Sequence, residues 1–356
     1  MRVIVHLLLA AAVAASLPSD PSFLILPPPQ SITAAGAPVP VSPAFELTAI
    51  GPGARSPLLL AALSRESSRF RTSVASSSSS TATPASPAPL LGAELHIASP
   101  SEALTSATDV SYTLRVAPGD ATARITARTV FGGMAALTSF RQLLARGGGG
   151  ALPAGDIAIA DAPDFPHRGI MIDSGRRFFP VPLVQNLIDT MQLIKMSLLH
   201  LHVSDECRFG IESKLFPNLT ARLTGDYGGF YTQDDIRALV AYGLARGVRI
   251  MLEMDIPGHS RGLLPLQGYG AVFCDPQDAT CSQMYGDPQN KTYDVLTALL
   301  GEMVPLFPEP VVHIGADETG VVGVVRGGPI PPPHTATTTT TRHRVSHSHA
   351  RQPPHH

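Results

Sequence analysis

The sequence is poor in charge. Asp, Glu, Lys and Arg make up 15% of its 356 residues, and the net charge is -2 with a pI near 6.7. A chain this close to neutral has no electrostatic case for binding nucleic acid or an anionic membrane surface. It also lacks a run of the ~18 apolar residues that a membrane span requires. Cysteine is scarce: Cys207, Cys274 and Cys281 are the only three, and none shows zinc-ligand spacing. Cys274 and Cys281 close a short loop and are candidates for a disulfide, which would leave Cys207 over. Tryptophan is absent altogether.

What is present begins with a secretory signature. Arg2 supplies a positive start, residues 3–13 are apolar but too short to cross a bilayer, and Ala14-Ala15-Ser16 offers small residues for cleavage. Residues 1–16 are therefore expected to be a signal peptide. The alternative is a buried N-terminal helix. Asn218-Leu219-Thr220 and Asn290-Lys291-Thr292 are glycosylation sequons, which agree with a secretory route.

The 34 prolines and 31 glycines are concentrated in particular stretches, which marks linkers and tails. Residues 18–50 are proline-rich. Residues 72–89 are low-complexity Ser/Thr/Ala/Pro and are expected to form a flexible insertion. Alternation at residues 95–97, 112–116 and 124–129 predicts strands. Residues 131–144 then read as a helix, with Met134, Leu137, Phe140, Leu143 and Leu144 on one face. Residues 22–150 are thus expected to be a small α+β accessory domain. The tail, residues 327–356, cannot bury a core. Its histidines, His343, His347, His349, His355 and His356, read as part of a disordered end rather than as a metal site.

From residue 163 to 326 the pattern becomes strand, helix, strand, helix. Strands are expected at 169–173, 198–203, 248–252 and 311–314. The intervening helices carry Leu183, Val184, Leu187, Ile188, Met191 and Ile194, then Ile236, Leu239, Val240 and Leu244, then residues 293–304. Thr232-Gln233-Asp234-Asp235 has the form of a capping box. Alternating βα units imply a parallel sheet. Each strand runs out into a polar cluster, as in a (β/α)8 barrel, whose site is built at the carboxyl ends of its strands. Four such units are legible, so the fold class is α/β: a partial (β/α)8 TIM barrel preceded by the α+β domain.

The last unit ends in His313-Ile314-Gly315-Ala316-Asp317-Glu318. Adjacent carboxyls at a strand end can divide labour. One stays protonated and donates; the other stays ionised and steadies developing positive charge. Repulsion between them pushes one pKa upward, as a general acid needs. That pairing suits cleavage of a glycosidic bond. Arg176 offers a fork of donors suited to vicinal hydroxyls. Other readings stand beside these: a surface ion pair for Arg176, a helix cap for Asp205, a structural role for His259.

Several motifs, in order, resemble glycoside hydrolase family 20, the β-N-acetylhexosaminidases of the eukaryotic lysosomal and secreted type. Phe165-Pro166-His167-Arg168-Gly169-Ile170-Met171-Ile172-Asp173-Ser174-Gly175-Arg176 resembles the first barrel strand. Leu199-His200-Leu201-His202-Val203-Ser204-Asp205-Glu206 is similar to the second strand end, and Tyr231 to Ile236 to a helix start. Glu253-Met254-Asp255-Ile256-Pro257-Gly258-His259-Ser260 resembles the third strand end, and His313 to Glu318 the acid signature. Gly133 to Leu143 resembles part of the accessory domain. The resemblance implies removal of terminal N-acetylhexosamine from oligosaccharides or glycoconjugates, with the substrate's own acetamido oxygen as nucleophile. It implies Glu318 as acid and base, Asp317 orienting the acetamide, Arg176 holding sugar hydroxyls, and Asp205 with His259 as a relay to the acid. It implies no cofactor and no metal, allows a homodimer, and places the chain in the secretory pathway, bound for the lysosome, a vacuole or the outside.

Three departures stand out. Ala316 occupies a position where the family has glycine, and Arg177 one where it commonly has histidine. The tryptophans on which family members stack the sugar, and a tyrosine that holds the acetamide, belong to a later barrel half. The chain is therefore expected to be truncated after the fourth strand and weakly active or inactive by itself.

Overall fold

The computed structural model describes residues 24–76, 87–223, 228–273 and 283–317. The signal-peptide segment, Cys274, Cys281, Glu318 and the histidine-bearing tail lie outside those residues.

Alternation of two builds the first sheet. In β4 (Tyr112–Val116), Tyr112, Leu114 and Val116 are buried while Thr113 and Arg115 face water. β4 pairs with β5 (Thr122–Ala127) and with β7 (Asp156–Asp161). β1 (Ser31–Ala35), β2 (Val39–Ile50), β3 (Leu90–Ile97) and β6 (Ala151–Leu152) complete a mixed seven-stranded sheet, ordered β1-β7-β4-β5-β3-β2-β6. Helices α1 (Pro57–Ser76) and α2 (Val130–Arg146) pack on each other and on this sheet. Phe45, Phe70 and Phe140 meet in the core, with centroids 5.5–5.9 Å apart.

The expected accessory region is therefore α+β, with differences at its edges. The proline-rich stretch contains β1 and β2, which the composition concealed. Residues 72–76, expected in a flexible insertion, are the last turn of α1, where Val74 is buried. Thr129, expected at a strand end, instead caps α2. Its Oγ1 accepts from the Gly132 N–H at 3.1 Å and donates to the Asp109 carbonyl at 2.5 Å.

The second sheet is parallel, with consecutive order β8 (Gly169–Asp173), β9 (Leu198–His202) and β10 (Arg249–Glu253). Gly169 and Arg249 both stand level with Leu198. Residues 313–314 continue the series: His313 N–H donates to the Leu252 carbonyl, and Met254 and Ile256 N–H to the carbonyls of His313 and Ile314. Consecutive order is that of a (β/α)8 barrel, whereas a doubly wound sheet reverses at a switch point.

Helix α3 (Val181–Leu193) turns Val184, Ile188 and Met191 inward, but Leu183 and Ile194 of the expected stripe are exposed. The buried face consists of Val184, Ile188, Met191 and Gln192, with Leu187 partly buried beside it. Helix α4 (Gln233–Leu244) has the expected capping box, with Thr232 Oγ1 accepting from Asp235 N–H at 3.0 Å and Asp235 Oδ2 from Thr232 N–H at 2.9 Å. Two short strands, β11 (Val272–Phe273) and β12 (Met284–Tyr285), precede α5 (Lys291–Met303).

The two sheets have separate cores, and charged side chains join them. Lys195, at the end of α3, donates to Asp161 at 2.7 Å and to the Tyr112 hydroxyl at 3.0 Å. Arg65 of α1 donates to the Ala245 carbonyl after α4, at 2.6 Å. A cavity of about 440 Å³ lies beside this seam, lined in part by Phe131, Met134 and Arg168. It adjoins the amino ends of the parallel strands, away from their acidic ends.

Candidate active site at the carboxyl ends of the parallel strands

Three loops are tied together before any functional side chain is considered. After β8, the N–H groups of Ser174 and Gly175 both donate to the His202 carbonyl, at 2.8 and 3.1 Å. After β9, the Asp205 carbonyl accepts from Gly262 N–H at 2.8 Å. A Cβ on Gly262 would lie 2.3 Å from the backbone carbon of Arg208, so only glycine permits this approach. After β10, Asp255 N–H donates to Ser204 Oγ at 2.8 Å.

Asp205 lies at the middle of this scaffold and is fully buried. Arg176 Nη2 is 2.9 Å from its Oδ2, and His259 Nδ1 is 3.5 Å from its Oδ1. Arg176 also donates from Nη1 to Asp173 at 2.6 Å, and these acids hold its pKa above the usual value, the Asp173 hydrogen bond first. Half of the arginine side chain remains exposed.

Asp317 is exposed at residue level, yet a carboxyl oxygen of it lies within 4.8 Å of one of Asp255. Asp255 Oδ1 also accepts from Ala316 N–H at 3.1 Å. Burial, then the charge of Asp317, pushes the Asp255 pKa up to about 6. The donor atoms of Asp255, His259 and Asp317 all lie within 4.8 Å of one another. Arg176, Asp205, His259, Asp255 and Asp317 thus cluster, drawn from four successive strand ends.

Backbone geometry explains the approach of Asp317. Gly315 and Ala316 have φ of 63° and 66°, two successive left-handed residues that curl the chain over Asp255. A Cβ on Gly315 would fall 1.8 Å from Asp255 Oδ1. Ala316 occupies the left-handed region with a methyl, so the expected demand for glycine geometry there is real.

Beneath this chain lies a second cluster that carried no expected role. Glu253 ends β10 and is nearly buried, with His202 Nδ1 at 3.0 Å, His313 Nδ1 at 3.0 Å and His200 Nε2 at 2.6 Å. Burial alone would raise the Glu253 pKa; the His200 and His202 imidazoles outweigh it and hold the carboxyl well below the ordinary range. His200, Glu253 and His313 form a set of donor types that could suit a metal. Gly315 N–H already donates to His313 Nδ1 at 3.0 Å, however, which occupies the lone pair that a metal would need. The sequence signal for this cluster was present: His200 and His202 alternate in an apolar strand and must share a face. Asp255 stands in a quoted motif and was likewise given no role.

The other expected residues are distributed more widely. Asn218 and Asn290 are both exposed, while the sequon hydroxyl residues Thr220 and Thr292 are buried. Cys207 is exposed and free.

The arrangement joins an arginine fork, a buried carboxylate–imidazole pair and two close carboxyls at one rim. Such a rim can bind a polyhydroxylated ring and stabilise positive charge on it.

The family model "Glycosyl hydrolase family 20, catalytic domain" matches residues 165–336, and "beta-acetyl hexosaminidase like" matches residues 25–143. The mouse "Beta-hexosaminidase subunit beta" is 34% identical over 213 residues, which is 59% of this chain and 39% of that protein. The Dictyostelium discoideum "Beta-hexosaminidase subunit A2" is 32% identical over 308 residues, 83% of this chain and 52% of that one. Among solved structures, the chitobiase of Flavobacterium johnsoniae superposes with a TM-score of 0.67 at 26% identity, covering 83% of this chain and 45% of that one. The chain therefore spans roughly two fifths to one half of the length of these relatives.

Proposed function

Because the chain belongs to glycoside hydrolase family 20, with the fold of an accessory domain and part of a (β/α)8 barrel, we propose that its strand-end cluster is the sugar-orienting and acid-bearing part of a β-N-acetylhexosaminidase site. The substrate is a terminal, non-reducing N-acetylhexosamine on an oligosaccharide or glycoconjugate. The observation that carries this reading is the convergence of Arg176, Asp205, His259, Asp255 and Asp317 at one rim.

In the proposed reaction the acetamido oxygen attacks the anomeric carbon as the glycosidic C–O bond breaks. Glu318 gives its proton to the leaving oxygen. The resulting oxazolinium ion carries positive charge, which ionised Asp317 stabilises while it holds the acetamide N–H. Water then attacks the anomeric carbon, Glu318 takes its proton, and the oxazolinium ring opens. This is the substrate-assisted exception to the two-carboxylate retaining scheme. Arg176 holds ring hydroxyls through the donors that face outward, and Asp205 with His259 supports Glu318. Asp255, close beside Asp317, helps to position its carboxyl. The accessory region is proposed to span residues 22–150 and the barrel region residues 163–326. Entry into the secretory pathway through residues 1–16 and glycosylation at Asn218 and Asn290 belong to the same proposal.

With no tryptophan in the sequence to stack the sugar, turnover by the 356-residue chain is expected to be slow. The test is hydrolysis of an aryl N-acetylglucosaminide by purified protein. Slow turnover abolished by Glu318→Gln supports the reading. Sugar binding with no Glu318-dependent turnover would make the chain a carbohydrate-binding relative, and absence of both overturns the site.

A further inference from the structure

His202 is 5% exposed and lies between two carboxylates. Its Nδ1 is 3.0 Å from Glu253 Oε2, and its Nε2 is 3.1 Å from Asp205 Oδ2. A third acid, Asp173 of β8, is 3.9 Å from Nε2. A neutral imidazole has one N–H and one lone pair. In that form it would aim the lone pair at a buried carboxylate oxygen, acceptor against acceptor. Only the doubly protonated ring donates at both ends.

The proton must then reside on the ring rather than on a neighbouring acid. Glu253 is contacted by the His200 and His202 imidazoles and gains from staying ionised. Asp205 accepts from Glu206 N–H at 2.6 Å and faces Arg176 at 2.9 Å and His259 at 3.5 Å, so both of its oxygens already face donors. The groups facing His202 are therefore Asp173 from β8, Asp205 from the β9 loop, and Glu253 and Asp255 from β10 and its extension. Four acids surround the ring.

We propose that His202 is a doubly protonated positioning residue, a buried cation that ties Glu253 inside the barrel to Asp205 at the rim. It thereby fixes the carboxylate on which Arg176 and His259 converge. The protonation half of this inference rests on geometry alone. The positioning half rests on the sugar-binding reading of the same site.

The geometry also says why a cation is needed there. Asp205 is fully buried, whereas its partner Arg176 is half exposed and shared with Asp173. One solvated, shared guanidinium compensates a buried carboxylate poorly. His202 supplies the compensation from the dry side, leaving Arg176 free to turn its remaining donors toward a ligand.

Two measurements on the full chain test this. Long-range ¹H–¹⁵N correlation spectra report the protonation of each histidine ring nitrogen. At pH 7.5, one ring with both nitrogens protonated is expected, and its signal should vanish in His202→Gln. Should that variant not fold, the ring is assigned by elimination with His200→Gln and His259→Gln. A neutral His202 tautomer at pH 7.5 overturns the proposal. Calorimetric titration with N-acetylglucosamine reads the positioning role. His202→Gln should weaken binding at least about tenfold, the scale for removing one partner of a buried charge pair. Thr232→Ala, remote from the site, is the stability control. Equal weakening by both variants overturns the positioning role. Failure of the unmodified chain to bind the sugar at all defeats the sugar-binding reading and the positioning role, while the spectra still decide the protonation of His202.

Discussion

Ala316 is the residue at which local cost and site geometry meet. Its φ of 66° places a methyl in the left-handed region, at about 1 kcal/mol. The curl it helps to make is what brings Asp317 to Asp255. Ala316→Gly is expected to raise unfolding stability by about 1 kcal/mol, measured from the urea midpoint, because glycine adopts this conformation without strain. Titration adds a second residue-scale effect. His202 is raised to about 9: burial lowers its pKa, but Glu253, Asp205 and Asp173 together outweigh burial. The folded state therefore binds this proton more tightly than the unfolded chain does. Its stabilisation is complete below the unfolded value near 6.5 and is lost as pH rises through about 9. After allowance for partial solvent screening this amounts to about 1–2 kcal/mol. Urea midpoints of the unmodified chain should decline across that window, and His202→Gln should lack the decline. Asp255 acts in a lower window. With its pKa raised to about 6, its ionisation destabilises the fold increasingly as pH rises from near 4 through 6.

At the scale of elements, caps and close approaches decide whether strand-end loops reach their places. Thr232 starts α4 through a two-way capping box, and Thr232→Ala should cost about 1 kcal/mol in thermal or urea unfolding. Gly262 is more demanding. Its added Cβ would meet the Arg208 backbone rather than a pliable side chain, so the loop carrying Asp205 must move. Gly262→Ala is expected to lower stability by about 2 kcal/mol, within the range for backbone strain and overpacking, and to weaken N-acetylglucosamine binding. A variant that retains both stability and binding would show that the loop tolerates displacement. Helices with clear stripes, α2 and α4, were legible in the sequence because burial on one face repeats every three or four residues. β1 and β2 were not, because proline-rich composition masks an alternation that only pairing with β7 and β3 makes useful. The end of α1 was hidden for a related reason: serine and threonine lower helix propensity, but burial of Val74 on the accessory core holds the last turn.

For the molecule as a whole, the seam between the two sheets depends on charge. Lys195 is largely buried, and desolvation lowers its pKa despite Asp161 beside it. Lys195→Met would leave Asp161 and the Tyr112 hydroxyl without their cation. A loss of about 3 kcal/mol is expected, the scale for breaking a buried pair from one side. Differential scanning calorimetry should show the single transition of the unmodified chain splitting or broadening as the two cores uncouple.

Sequence alone determined the alternation of strands and helices, the α+β region before the barrel, and the kinds of groups at each strand end. These follow from periodicity and from motifs continuous along the chain. Arg176, Asp205, His259 and Asp317 were legible because each stands in such a motif. Their junction was not. Asp255 meets Asp317, and His202 meets Glu253, across tens of positions in sequence, while His259 and Asp205 are near neighbours of theirs along the chain. Which imidazole nitrogen faces which carboxylate, and hence where a proton resides, depends on side chains brought within about 3 Å in a buried space. Only the folding of parallel strands side by side could decide that.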